Sequence, residues 1–215
     1  MVDEAPVVFV VDDDVSVRES LELLIRSAGW KPQICASAKE FMDCVRPDVA
    51  NCLVLDVNLP DLNGLDLQRL VASDRTEMPI IFVTGYGDIP TTVNAMKAGA
   101  VEFLPKPLND TVLIEAIEQA LTRSRAELAL AGEMRLLQQR HASLTHREQE
   151  VMALVVSGLL NKQVAYELGI TEITVKAHRG QVMRKMHARS LPELVNFAAS
   201  LGINRVAQAS FQRRL

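Results

Sequence analysis

The first 120 positions alternate short, unbroken apolar runs with stretches whose apolar residues recur every three or four places. Val7-Val8-Phe9-Val10-Val11 is a β-branched and aromatic run, as a strand buried on both faces requires. Residues 15–28 follow, with Val17, Leu21, Leu24, Ile25 and Ala28 at helical spacing and Gly29 closing the helix. The pattern predicts a weaker strand at 33–36 and a helix over 37–46. Cys52-Leu53-Val54-Leu55 predicts a third strand, and a helix begins near 64. Ile80-Ile81-Phe82-Val83 predicts a fourth strand, a helix over 90–99 ends at Gly99, and Val101-Glu102-Phe103-Leu104 predicts a short fifth strand. Five strands separated by helices imply a five-stranded parallel sheet in an α/β layer fold.

From 109 to 141 Gly132 is the sole turn signal, so the stretch predicts one long helical linker with Ile114, Ile117, Leu121 and Leu128 as its apolar stripe. The first half of that stripe suits packing on the sheet. Its heptad regularity is too weak for a coiled coil. Strand signals then stop. Residues 145–200 predict four short helices punctuated by Gly158, Gly169 and the Ser190–Pro192 segment, and 202–215 a tail ending in Arg213-Arg214. The expected organisation is an α/β domain over 1–122, a linker over 123–141, an all-α domain over 142–206 and a tail over 207–215. A length of 215 residues suits two modest domains.

Charge divides the chain in the same place. Residues 1–120 carry 9 basic and 20 acidic side chains, net −11, whereas 121–215 carry 14 and 7, net +7. An acidic half joined to a basic half implies different partners, and the basic half suits phosphate neutralisation. The acidic start Met1-Val2-Asp3-Glu4-Ala5-Pro6 lacks the basic opening of a signal peptide, and no apolar run reaches the roughly 18 residues of a membrane span. A cytoplasmic protein that does not engage the membrane is expected. Cys35, Cys44 and Cys52 form no Cys-x-x-Cys pair, against a disulfide scaffold or structural zinc site. Buried or half-buried thiols are the expectation, with redox sensing a remote alternative.

Ligands of open parallel sheets bind at the carboxyl ends of the strands. There the sequence places Asp12, Asp13 and Asp14 after strand one, Asp56 at the end of strand three, Thr84-Gly85 after strand four and Lys106-Pro107 after strand five. Mg²⁺ takes oxygen ligands and keeps several waters, so two or three carboxylates suffice. With their repulsion offset, one carboxylate can attack a phosphoryl group, and a lysine can stabilise the transferring oxygens. Asp14 also suits a helix cap, and Asp61 and Asp66 suit solvated loop and helix positions. Tyr86 reads as loop packing.

With Val-Asp12-Asp13, Leu-Asp56-Val-Asn-Leu-Pro60-x-x-x-Gly64, Val-Thr84-Gly, Lys97-Ala-Gly-Ala and Phe-Leu-Pro-Lys106-Pro107, residues 7–120 resemble the receiver domain of response regulators. The resemblance implies a flavodoxin-like fold with Asp56 as phosphoacceptor. It implies Mg²⁺ (or Mn²⁺) held by Asp12, Asp13, Asp56 and the backbone carbonyl of Asn58. Thr84 and Lys106 would contact the phosphoryl group, Phe103 would occupy the aromatic switch position, and the Lys106–Pro107 bond would be cis.

In the basic half, Thr145 and Glu148 have the spacing of a capping box. A short helix from Asn161-Lys162 ends at Gly169, and a polar-faced helix follows from Thr171 to Met186. Helix, glycine turn and second helix is the helix-turn-helix plan, whose second helix enters the major groove. Ile173, Val175, Val182 and Met186 are the expected packing residues of that helix; Thr174, Lys176, Arg179, Gly180 and Gln181 lie on or beside its outer face. The segments Leu-Thr-x-Arg147-Glu148, Asn161-Lys162-x-Val-Ala, Leu-Gly-Ile-Thr, Thr174-Val-Lys176-x-His178-Arg179 and Met-Arg184-Lys185-Met resemble the output domain of the LuxR/NarL/FixJ family, the FixJ branch in particular. DNA contact is thereby implied for Asn161, Lys162, Thr174, Lys176, His178, Arg179, Arg184 and Lys185.

Together the resemblances imply a two-component response regulator. A sensor histidine kinase would phosphorylate it, and it would bind promoter DNA as a phosphorylation-dependent homodimer, with RNA polymerase a further partner. It would be no enzyme beyond self-phosphorylation and slow autodephosphorylation. Two rivals stand beside this. An aspartate-dependent phosphatase would match Asp12-x-Asp14, but Ser16 departs from that pattern. A DNA-binding regulator switched by something other than phosphate would leave the acidic set without a task.

Overall fold

The computed structural model describes residues 5–74, 78–85 and 89–203. The chain divides into two compact units, Met1–Ala129 and Leu130–Leu215. The boundary falls inside one helix. Tyr86 and the expected tail over 207–215 lie outside the described residues.

Unit one is built on five parallel strands, β1 Val7–Val11, β2 Lys31–Cys35, β3 Asn51–Asp56, β4 Ile80–Thr84 and β5 Glu102–Pro105, in the order β2-β1-β3-β4-β5. Every residue of β1, β3 and β4 is buried, so those strands tolerate apolar side chains on both faces. Alternate residues divide between two cores. Val7, Phe9, Val11, Leu53 and Leu55 face the core that includes Ala38 and Phe41 of α2 (Ala38–Asp43), Leu67 and Val71 of α3 (Gly64–Asp74) and Ala95 of α4 (Ile89–Lys97). Val8, Val10, Cys52 and Val54 face the core of α1 (Val15–Ser27) and α5 (Asp110–Ala142). Helices on both faces follow from parallel connections that cross over.

The elements lie close to their expected positions, with ends displaced. β2 begins at Lys31, ahead of the expected 33, because it pairs with β1 from Val7↔Lys31. α2 ends at Asp43 because Cys44 is already extended, at φ −70° and ψ 134°. α5 is helical from 110 to 142, against an expected 109–141. Its Leu113, Ile117 and Leu121 are buried on the sheet, and Ser124 accepts the amide of Asn51 at 3.1 Å.

Unit two packs α6 (His146–Val156), α7 (Asn161–Leu168), α8 (Glu172–Met186) and α9 (Leu191–Ser200) around two small apolar clusters. The expected capping box forms: Thr145 Oγ1 accepts from Glu148 N and Glu148 Oε2 from Thr145 N. Gly169 ends α7 at φ +64°, the left-handed conformation that a side chain disfavours. Among the described residues no helix is long and apolar enough to cross a membrane.

Glu148 is buried and receives Lys185 Nζ at 2.7 Å, tying α6 to α8. Lys185 first, then the Thr145 amide, hold its carboxyl below its ordinary value of 4.5. The pair therefore contributes fully above that value and is lost as pH falls through the lower folded pKa. Glu148→Gln is expected to lower the stability of unit two by about 1.5–3 kcal/mol near neutral pH. Thermal unfolding of the variant and parent should converge as the solution is acidified below pH 4.5.

Candidate functional site

The carboxyl ends of β1, β3 and β5 converge on one lysine. Asp12, the residue after β1, is fully buried, and Asp56, the last of β3, is 5% exposed. Lys106 Nζ lies 2.7 Å from Asp12 Oδ2 and 2.5 Å from Asp56 Oδ2. The other oxygen of each carboxylate accepts a main-chain amide two residues on: Asp14 N donates to Asp12 Oδ1 and Asn58 N to Asp56 Oδ1, both at 2.9 Å. Asp13 is exposed beside them, and carboxylate oxygens of Asp12, Asp13 and Asp56 lie within 4.8 Å of one another. Three anionic oxygen donors so close are a hard-cation donor set, and Lys106 supplies one of the charges they demand.

Burial, the largest influence, raises the Asp12 carboxyl against the opposing pull of Lys106 and the Asp14 amide. Burial lowers the Lys106 ammonium, but its bonds to Asp12 and Asp56 outweigh that and leave it raised. Lys106 is therefore firmly cationic.

Backbone geometry places these side chains. Asp14 caps α1, accepting from Ser16 N and Val17 N. Thr84 is buried at the end of β4, its carbonyl accepting Lys106 N at 2.8 Å. The Lys106–Pro107 bond is cis. Phe103 is half-buried and leans on Phe82, its register partner, at a ring separation of 6.2 Å. Gly64 closes the loop after Asp56: a Cβ there would meet Asp56 O at 2.6 Å and Val57 Cα at 3.0 Å, both backbone.

Two contributors carry no sequence signal. Arg18 Nη1 donates to Asp12 O at 2.7 Å. Asp61, expected to be merely solvated, accepts the first amides of α2, Lys39 N at 3.1 Å and Ala38 N at 3.4 Å. It thereby ties the loop that follows Asp56 to α2. Desolvation, the largest single influence, raises its carboxyl, but the main-chain amides of Lys39, Ala38, Asp61 and Leu62 together outweigh it and leave the pKa lowered. Asp66 is exposed and pairs with Arg69, as its position predicts.

The second candidate site is the outer face of α8. Val175, Val182 and Met186 are buried as expected. Ile173 is not: it is 79% exposed. At about 100° per residue it lies about 200° round the helix from Val175, so it belongs with exposed Ala177 and not with the packing stripe. Lys162 and Lys176 are exposed; Lys176 makes a loose pair with Glu172 at 3.4 Å. Thr174 is half-buried, its hydroxyl 2.8 Å from that of Thr171, and His178 is half-buried. Arg179 donates to Asn161 Oδ1 at 3.2 Å, joining the two helices of the motif. Arg184 is exposed and bonded to Gln181. Lys185 turns inward to Glu148 and to Ser143 O, so its charge is matched within the fold.

Gly64→Ala is expected to lower the stability of unit one by about 1–3 kcal/mol, since the added carbon meets main chain that cannot rotate away. Displacement of Asp56 should also weaken divalent-cation binding. Thermal melting and Mg²⁺ titration check the two effects together.

Comparison with known proteins assigns each half of the chain to a family. Residues 8–118 match the family described as response regulator receiver domain, and residues 142–198 match bacterial regulatory proteins, luxR family. The chain is 50% identical over 198 residues to nodulation protein W of Bradyrhizobium diazoefficiens, covering 92% of this chain and 87% of that protein. It is 43% identical over 199 residues to transcriptional regulatory protein FixJ of Rhizobium meliloti, covering 91% and 96%. Among solved structures it resembles response regulator StyR, with a TM-score of 0.81 and 47% identity over 91% of this chain and 98% of that one.

Proposed function

The chain belongs to the response regulators, transcription regulators that join a receiver domain to a luxR-type DNA-binding domain, and we propose that Asp56 is its phosphoacceptor. Receiver and helix-turn-helix together imply a kinase and DNA as partners. The observation that carries the assignment is Lys106 bridging Asp12 and Asp56 at 2.7 and 2.5 Å.

In the proposed reaction a sensor histidine kinase presents a phosphohistidine. An Asp56 carboxylate oxygen forms the new bond to phosphorus, and the P–N bond to imidazole breaks. Asp12, Asp13, Asp56 and the Asn58 carbonyl would hold Mg²⁺ (or Mn²⁺), which when bound offsets the repulsion between these carboxylates and the incoming phosphoryl oxygens. Asp12 holds one hydrogen-bonded oxygen on the Asp14 amide, which fixes its orientation. Lys106 supplies its ammonium to a phosphoryl oxygen, the Thr84 hydroxyl donates to another, and Phe103 responds to the change at Thr84. Self-phosphorylation from a small phosphodonor and slow hydrolysis complete the receiver chemistry. The same reading places the protein in the cytoplasm, where it forms a homodimer on two half-sites and contacts RNA polymerase.

With Mg²⁺ and acetyl phosphate, the parent chain should acquire one phosphoryl group that alkali and hydroxylamine remove. Asp56→Asn should abolish it, and Lys106→Met should reduce its level at least tenfold. Phosphate-affinity gel mobility measures both, and equal labelling of Asp56→Asn would refute the phosphoacceptor.

On DNA, Lys162, Lys176, His178, Arg179 and Arg184 act at phosphates and base edges. Asn161 and Thr174 set the presentation of α7 and α8, and Lys185 acts by holding α8 to α6. Ile173 offers apolar surface near the start of the recognition helix, where thymine methyl groups are read. Lys176→Ala should weaken binding to duplexes selected from a random pool and reduce the salt dependence by about one counterion. Ile173→Ser should instead relax preference at one thymine, costing about 1–3 kcal/mol of discrimination there. Replacing that thymine by deoxyuridine should weaken the parent and leave the variant unchanged, as measured by fluorescence anisotropy.

A further inference from the structure

Cys35 ends β2, an outer strand of the sheet, and is buried. Cys44 caps the C-terminus of α2 and is half-buried. Their Sγ atoms stand 3.7 Å apart. Neither thiol has a task in phosphoryl transfer or DNA binding. Cys52 lies in the apolar cluster on the other face of the sheet. We propose that Cys35 and Cys44 are a redox-active pair that closes into a reversible intramolecular disulfide when a peroxide supplies the oxidising equivalents.

The two sulfurs are in contact and must approach by less than about 2 Å to bond. Little regular structure resists that approach. α2 is only six residues long, its cap at Cys44 is already extended, and β2 pairs on one side only. Cys44 is the thiol an oxidant can reach. The Gln33 amide donates to its sulfur at 3.8 Å, and its own S–H donates to Glu40 O at 3.3 Å. The Cys44 thiolate attacks one peroxide oxygen, the O–O bond breaks, and the departing hydroxide takes up the proton the thiol released to become water, leaving a sulfenic acid. The Cys35 sulfur then attacks the Cys44 sulfur, the S–O bond breaks, and hydroxide leaves as water with the Cys35 proton. Two thiols and one hydrogen peroxide give one disulfide and two waters. A dithiol reductant reverses the change by thiol–disulfide exchange.

The segment this bond would close is attached to the acidic site at two points. Cys35 O accepts the amide of Asp12 at 3.3 Å, and the first amides of α2 are held by Asp61, in the loop that follows Asp56. Intracellular disulfides are most often transient and regulatory, which suits a thiol pair in that position.

The test uses the full chain, treated with hydrogen peroxide while native, quenched, denatured and alkylated with N-ethylmaleimide. Intact mass should show three adducts before oxidation and one after it, with three restored by dithiothreitol. Cys52→Ala should still lose two on oxidation, whereas Cys44→Ser and Cys44→Ala should lose none, with circular dichroism confirming that both variants fold. Fragment ions should join tryptic peptides 27–39 and 40–69 through Cys35 and Cys44. Three adducts after oxidation, a loss that persists in Cys44→Ser, a link between two chains only, or Cys44 carried to its sulfinic acid without a link would each overturn the proposal.

Discussion

Two carboxylates buried side by side cannot both remain charged without a cation, and the architecture of unit one answers that constraint. Asp12 and Asp56 sit at the ends of adjacent strands β1 and β3, where parallel pairing sets their separation. The compensating ammonium comes from beyond β5, two strands further along the sheet. A local sequence change cannot supply it; the strand order must. Burial still raises the Asp12 carboxyl, so the lysine does not fully meet the demand. The cluster of Asp12, Asp13 and Asp56 therefore keeps negative charge beyond what Lys106 offsets, and a hard cation is the kind of group that can meet the remainder.

Unit two holds a second buried carboxylate against a lysine, with the opposite consequence. The Glu148 carboxylate receives Lys185 at 2.7 Å and the Thr145 amide at 2.7 Å, while the Glu148 amide donates to the Thr145 hydroxyl to complete the capping box. Its pKa is lowered, where that of Asp12 is raised. No like charge is paired with it in that network, and it fixes α6 against α8. The difference between an exchangeable site and a structural one thus lies in the surroundings of the carboxylate and not in the residue type.

Much of this was legible in the sequence because it follows from contiguity. Strands buried on both faces read as unbroken apolar runs, and the residue after each run marks the sheet edge where ligands gather; Asp12, Asp56, Thr84 and Lys106 were found that way. The capping box at Thr145 and the glycine turn at Gly169 are likewise local. What escaped was set by contacts across the fold. Asp61 looks like an exposed loop acid until α2 is placed beside it, and Arg18 gains meaning only from its bond to the Asp12 carbonyl. Ile173 is apolar yet lies on the outer face, because apolarity alone does not place a residue and its phase opposes that of Val175. Lys185 has the residue type of a phosphate contact, but burial of Glu148 claims it. The approach of Cys35 to Cys44 depends on the short turn from β2 into α2, which no periodicity encodes.

Phe103 shows how one side chain alters the physics of a shared site. A tyrosine moving into the sheet edge would bring a hydroxyl that must find a partner, at a cost of about 1–3 kcal/mol if it did not. Phenylalanine brings none, so inward movement at this position is governed by volume and by its contact with Phe82. That contact joins β4 to β5 at a register pair two residues before Thr84 and three before Lys106. In the proposed switch, a change in how Thr84 and Lys106 are engaged would reach Phe103 through β4 and β5, the two strands that carry them. Coupling of that kind would tolerate loss of a polar group at 103 but not loss of bulk, because the contact it relies on is the packing of Phe103 on Phe82.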